Sequence, residues 1–152
     1  MKLSREEESL RVLTILLRAS GSVVNMLKKD MRSYGLNPTE FTVLEVLYNL
    51  GEQPIQLIGK KVLLASSSIT YVIDQLEKKE LVIRAQNKKD RRVILVSLTK
   101  KGKEFMDDIF PQHSQIIQDL FTDLTTEEII QLGDSLKTVG YKAVDLYDQA
   151  EH

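Results

Sequence analysis

The chain contains no cysteine, so structural disulfides, thiolate metal sites and cysteine-based redox sensing are excluded at once. Histidine is nearly as scarce. Only His113 and His152 occur, which leaves few candidates for the base of a nucleophile–base pair or for the ligand set of a zinc site. The seven glycines are scattered and form no phosphate-cradling loop. These gaps argue against an enzyme, and neither a cofactor nor a bound metal is expected. There is also no unbroken apolar run of about 18 residues. The first eight residues, Met1 to Glu8, are charged and unlike a secretory leader. A cytoplasmic protein without membrane contact is the expectation. Internal repeats and low-complexity segments are absent as well.

What is present is a folded composition of 152 residues, 42% apolar and 28% charged, enough for one domain with an appended oligomerisation element. The net charge of −1 conceals an asymmetry. Ten Lys and Arg lie between Lys78 and Lys103 against two acids, Glu80 and Asp90, a local charge of +8 that leaves −9 on the remainder. A solvated basic face is the commoner meaning of such a run, but an acidic protein with one basic patch is also the footprint of a molecule that meets phosphate with one part only.

Apolar residues Leu10, Leu13, Leu17, Val24, Leu27 and Met31 recur at helical spacing, predicting a long helix over 8–33 that weakens near Gly21. Asn37, Pro38 and Glu40 spell an N-cap, a first-turn proline and a capping box, opening a helix that runs to about Leu50. Pro54, read as a first-turn residue, precedes a short helix from Ile55 to about Leu63. Ser66, Ser67 and Ser68 offer N-cap hydroxyls to a helix bearing Ile69, Ile73 and Leu76 and ending near Lys79. Leu81–Gln86 and Val93–Leu98 flank a polar loop at 87–92 and predict a β-hairpin. A helix from Thr99, kinked at Pro111, carries Met106, Ile109, Ile116, Leu120 and Phe121. Thr125 and Glu128 then box the start of a final helix bearing Leu132, Leu136, Val139 and Val144.

Helix, helix, turn, helix and a hairpin with a basic tip is a winged helix-turn-helix, a mainly α fold with a small β-hairpin. A helix of about 12 Å diameter fits the major groove of B-DNA. The helix over 66–79 is the one to enter it, with Ser66, Ser67, Ser68, Thr70, Tyr71 and Gln75 as candidate base and phosphate contacts, although one of the serines is expected to be a simple cap. Lys88, Lys89, Arg91 and Arg92 in the loop would meet phosphate, with either Arg91 or Arg92 entering the minor groove and Asp90 restraining an arginine.

Residues 36–103 resemble the MarR family of bacterial regulators. The resemblance is carried by Asp74, Leu76, Glu77, Leu81 and Val82, by Asp90-Arg91-Arg92, and by Leu98, Thr99 and Gly102. Tyr71 and Glu80 depart from it, standing where many members have arginine and glycine. The resemblance implies a homodimeric repressor of a palindromic double-stranded operator, interlocked through its first and last helices. Residues 1–34 and 99–152 would form the dimerisation elements and 35–98 the DNA-binding lobe. Gly35 to Phe41, Leu63 to Glu77 and Asp108 to Pro111 are similar to a quinone-responsive branch of the family, implying release by a small aromatic or quinone-like effector. Without cysteine, such an effector would bind noncovalently or react through another group. Leu17, Met26, Phe41 and Met106 are candidates to line its pocket, though each also fits an ordinary core. Two alternatives remain: a metal-responsive regulator, for which His113 lies near Glu104, Asp107 and Asp108 in sequence, and a winged helix that binds proteins instead of DNA.

Overall fold

The computed structural model describes residues 1–62 and 68–150. Among the described residues six helices and three strands follow in order: α1 (Arg5–Ser33), α2 (Pro38–Leu50), β1 (Gln53–Pro54), α3 (Ile55–Lys61), α4 (Ile69–Lys78), β2 (Val82–Gln86), β3 (Ile94–Leu98), α5 (Lys100–Leu120) and α6 (Thr126–Ala150). The chain forms two compact units, Met1–His113 and Ser114–His152.

Local sequence dictates the helix starts. Ser4 caps α1 by accepting from the Glu7 amide while Glu7 reaches back to Ser4, so the helix begins at Arg5, earlier than its apolar periodicity suggests, and it passes Gly21 unbroken. Asn37 and Glu40 make the reciprocal capping box expected of them, with Pro38 in the first turn. Glu40 is buried, and its second oxygen takes the Lys79 ammonium at 2.7 Å, tying the start of α2 to the end of α4. By length and composition α1 is apolar enough to cross a membrane. A search for an unbroken apolar run misses this because Arg11 and Arg18 interrupt the stretch.

The hairpin is part of a three-stranded antiparallel sheet of order β1-β3-β2. Val82 pairs with Leu98 and Gln86 with Ile94, while Gln53 and Pro54 pair with Val96 and Leu95. Pro54 is therefore not inside a helix. It ends an edge strand, where a missing amide proton is tolerated, and its extended backbone serves as the N-cap of α3.

The core of the first unit gathers Phe41, Val43, Leu44 and Leu47 of α2 with Ile58 of α3, Val72, Ile73 and Leu76 of α4, Val82 and Val96 of the sheet, and Met106 and Ile109 of α5. In the second unit α6 buries no side chain, and Ile129, Leu132, Leu136, Val139 and Val144 are all exposed. Its first turn is held by the Glu128 amide, which donates to Thr125 Oγ1 at 3.2 Å. The preceding helix ends at Leu120, so Phe121 belongs to the turn that follows and not to that helix.

Candidate nucleic-acid interface

The faces of α4 follow from its phase. Val72, Ile73 and Leu76 are buried. Thr70, Asp74 and Glu77 lie along the flank facing β2, where all three contact Arg84. Tyr71, on the remaining face, is 59% exposed, and helical spacing brings Ser68, Gln75 and Lys78 to the same side. Ser66 and Ser67 lie outside the described residues. Ser68 occupies the N-cap position but makes no side-chain capping bond. Its hydroxyl is therefore not committed to the helix.

The end of α4 turns on Glu80, whose φ is +63°. The Leu81 amide donates to the Leu76 carbonyl at 3.0 Å and the Glu80 amide to Glu77 at 2.9 Å. The residue that replaces a customary glycine thus adopts the left-handed conformation anyway, at a cost of about 1–2 kcal/mol. The helix terminates in the ordinary way. Thr99 closes the same corner: its hydroxyl donates to the Glu80 carbonyl at 2.6 Å and accepts the Gly102 amide at 2.9 Å. A Cβ on Gly102 would run into the Leu81 carbonyl, so α5 approaches the α4–β2 corner at a distance only glycine permits.

The wing tip is folded by its own side chains. Asn87 Oδ1 accepts the Lys89 and Asp90 amides at 2.8 and 3.4 Å. Asp90 then holds Arg92 through three bonds, accepting the backbone amide, Nε and Nη2 at 3.1, 3.1 and 3.2 Å. Hydrogen bonds from the Arg92 side chain and amide keep the Asp90 carboxyl below its usual range. Lys88, Lys89 and Arg91 are exposed, and among the described residues no ion pair engages Arg91. The wing thus presents one arginine fixed to its own loop and one extended into solvent.

The four candidate effector residues are not brought into one site. Phe41 and Met106 are fully buried in the core, Met26 is half-buried, and Leu17 is 64% exposed on α1. Among the described residues, two surface grooves are lined by none of the four. One of about 520 Å³ lies among Leu47, Tyr48, Leu98, Lys100 and Lys103, and one of about 430 Å³ among Ile55, Thr70, Arg84, Gln86 and Ile94.

His113 is also not where its sequence neighbours suggest. Glu104, Asp107 and Asp108 are exposed, with Asp107 accepting from Tyr48 at 2.6 Å and Lys103 at 2.9 Å. His113 instead continues the inward stripe of Met106 and Ile109 and is 2% exposed. Its Nδ1 donates to Asp30 at 2.6 Å, its Nε2 lies 3.4 Å from Glu45, and its ring packs on Phe41 at 4.5 Å. Asp30 also accepts the Tyr34 hydroxyl at 2.6 Å, and burial together with this bond pushes the Tyr34 phenol upward. Burial disfavours the imidazolium, but hydrogen bonds to Glu45 and Asp30 outweigh it and raise the His113 pKa. The signal available in the sequence was the spacing of three and four from Met106 through Ile109 to His113. Among the described residues no cluster of three or more His, Asp or Glu is placed to hold a metal.

The model of the MarR family matches residues 36–94. The chain is 46% identical to the HTH-type transcriptional regulator MhqR of Bacillus subtilis, with 94% of this chain and 99% of that protein covered. Among solved structures, AbsC, a MarR family transcriptional regulator from Streptomyces coelicolor, superposes with a TM-score of 0.79 at 22% identity, covering 95% of this chain and 99% of AbsC. BpsR of Bordetella bronchiseptica, whose DNA binding is regulated by 6-hydroxynicotinic acid, gives 0.72 at 25% identity over 86% of this chain and 98% of its own. Fold, core motif and full-length similarity agree: the chain belongs to the MarR family of transcriptional regulators.

Proposed function

We propose that the protein is a homodimeric repressor that binds a palindromic DNA operator and is released from it by a small aromatic or quinone-like effector. The observation that carries the reading is the continuity of one surface. The outward face of α4, with Ser68, Tyr71, Gln75 and Lys78, leads to a wing bearing Lys88, Lys89, Arg91 and Arg92. The helix reads base edges in the major groove and the lysines meet phosphate. Arg91, extended from the loop, enters the minor groove, while Arg92 stays with Asp90.

Dimerisation is supported by apolar surface that a single chain leaves in water. Leu10, Leu13 and Leu17 on α1 are 61%, 52% and 64% exposed, and α6 has an unburied apolar stripe. A second copy covers such faces by two-fold symmetry. This also accounts for the membrane-like composition of α1 in a protein read as cytoplasmic, with residues 1–34 and 99–152 serving dimerisation and 35–98 binding DNA. No enzymatic step is assigned.

The effector class rests on the family resemblance, and regulation of BpsR by 6-hydroxynicotinic acid shows that an aromatic small molecule acts on one protein of this fold. The test is an anisotropy assay on an operator selected from random duplexes, with and without a simple benzoquinone. A hundredfold weakening corresponds to about 2.7 kcal/mol of coupling, and saturating operator must then weaken quinone binding by the same factor. Quinone affinity unchanged by operator, despite release, would rule out reversible allostery.

A further inference from the structure

Arg84 is the middle residue of β2, and its side chain crosses to α4 instead of pointing into solvent. Nη2 lies 2.6 Å from Asp74 Oδ1 and donates to the Thr70 carbonyl at 3.2 Å. Nη1 meets Glu77 Oε1 at 3.2 Å, and the Arg84 amide donates to the other oxygen of the same carboxylate at 3.2 Å. The three contacted residues are spaced four and three apart, so they form one line along the helix and span about two turns. A planar guanidinium holding three points on that line fixes both the rotation of α4 about its axis and its position along the strand. Single exposed ion pairs do little for stability. This one is 23% exposed on the arginine side and shares its donors among three acceptors, a geometry suited to setting an angle.

We propose that Arg84, with Asp74 and Glu77, is a positioning brace that sets the angle between the recognition helix and the wing, and so governs operator specificity without itself touching DNA. The proposal rests on the reading of α4 and the wing as the DNA-binding surface. It also gives a role to Asp74 and Glu77, two acids whose placement on a DNA-binding helix is otherwise costly, because unpaired carboxylates there repel phosphate.

That cost supplies the test. The operator is selected from random duplexes with the wild-type protein. Affinity is then measured for it and for a scrambled duplex over a range of salt, for Asp74→Asn, Arg84→Gln, Arg84→Lys and the double variant D74N/R84Q. Thermal unfolding confirms that each folds. Simple electrostatics has Asp74→Asn tighten binding by removing a negative charge. The brace predicts the opposite: Asp74→Asn weakens operator binding about tenfold, leaves scrambled DNA unchanged or slightly tighter, and keeps the wild-type salt slope. The double variant is no worse than either single one, and Arg84→Lys, which cannot form the fork, does not restore affinity. Operator binding by Asp74→Asn equal to or tighter than wild type overturns the proposal. So does an Arg84→Gln variant that loses both duplexes alike with the salt slope flattened by about one, which would make Arg84 a phosphate contact. If the wild-type protein enriches no sequence at all, the DNA-binding reading itself falls and the brace with it.

Discussion

Nδ1 of His113 lies 2.6 Å from Oδ2 of Asp30, with both side chains only 2% exposed. Glu45 stands at the other ring nitrogen at 3.4 Å, and Tyr34 donates to the remaining Asp30 oxygen. The pair joins α1 to α5 through the lobe core and sets how stability responds to pH. Because the folded-state pKa of His113 is raised above its unfolded value of about 6.5, the contribution is complete below that value and is lost as pH rises through the folded one. Melting curves should therefore show the protein losing stability from about pH 6.5 upward. His113→Gln should lower stability by about 3 kcal/mol at acid pH, the scale for breaking a buried pair, and should flatten this dependence. A wild-type melting point that rises with pH relative to the variant would contradict the assignment.

Gly102 makes a second prediction about the same lobe. A methyl group there meets the Leu81 backbone carbonyl, which cannot swing aside as a side chain can. Gly102→Ala should cost about 1–3 kcal/mol in chemical denaturation, whereas Gly133→Ala, where a Cβ meets nothing within 4 Å, should be neutral or stabilising.

The wing arginines should separate. Arg91→Ala should relax the preference for A·T pairs beside each half-site by about tenfold while leaving other sequences little changed. Arg92→Ala, which removes the two side-chain bonds to Asp90 and keeps only the backbone amide bond, should weaken binding to all sequences by loosening the loop. Equal and negligible losses in competitive binding assays would remove the wing from the mechanism.

Much of this architecture is written locally. Asn37, Pro38 and Glu40 announce α2 because the capping box needs only residues three apart, and the hairpin follows from two apolar segments around a polar loop. Other features depend on partners far along the chain. β1 is two residues long and exists only because β3 lies beside it, so Pro54 reads locally as the start of a helix. Asp30 is 83 residues from His113, and the acids next to His113 in sequence suggest a surface cluster until its helical phase is compared with Met106. The site shows the same division. Composition and order mark α4 and the wing, but the bonds that hold Arg92 to Asp90 depend on the loop geometry, and the contacts of Arg84 with α4 depend on the packing of a strand on a helix.

Dimerisation should be required for DNA binding. Leu136→Asp places a charge in the exposed apolar stripe of α6, where Leu136 is 44% exposed in the single chain. Light scattering should show wild-type dimers and variant monomers at micromolar concentration, with operator binding lost in the variant. A monomeric wild type, or a monomeric variant with full affinity, would refute the two-fold arrangement.

Binding of duplex DNA by α4 and the wing is tested most directly by a salt titration of operator affinity. Each phosphate neutralised contributes about −0.9 to the slope of log K against log salt. Affinity should fall steeply and linearly, with the slope reduced by about one unit when either Lys88 or Lys89 is replaced by alanine. Affinity that is indifferent to salt, or a slope unchanged by loss of both lysines, would contradict it.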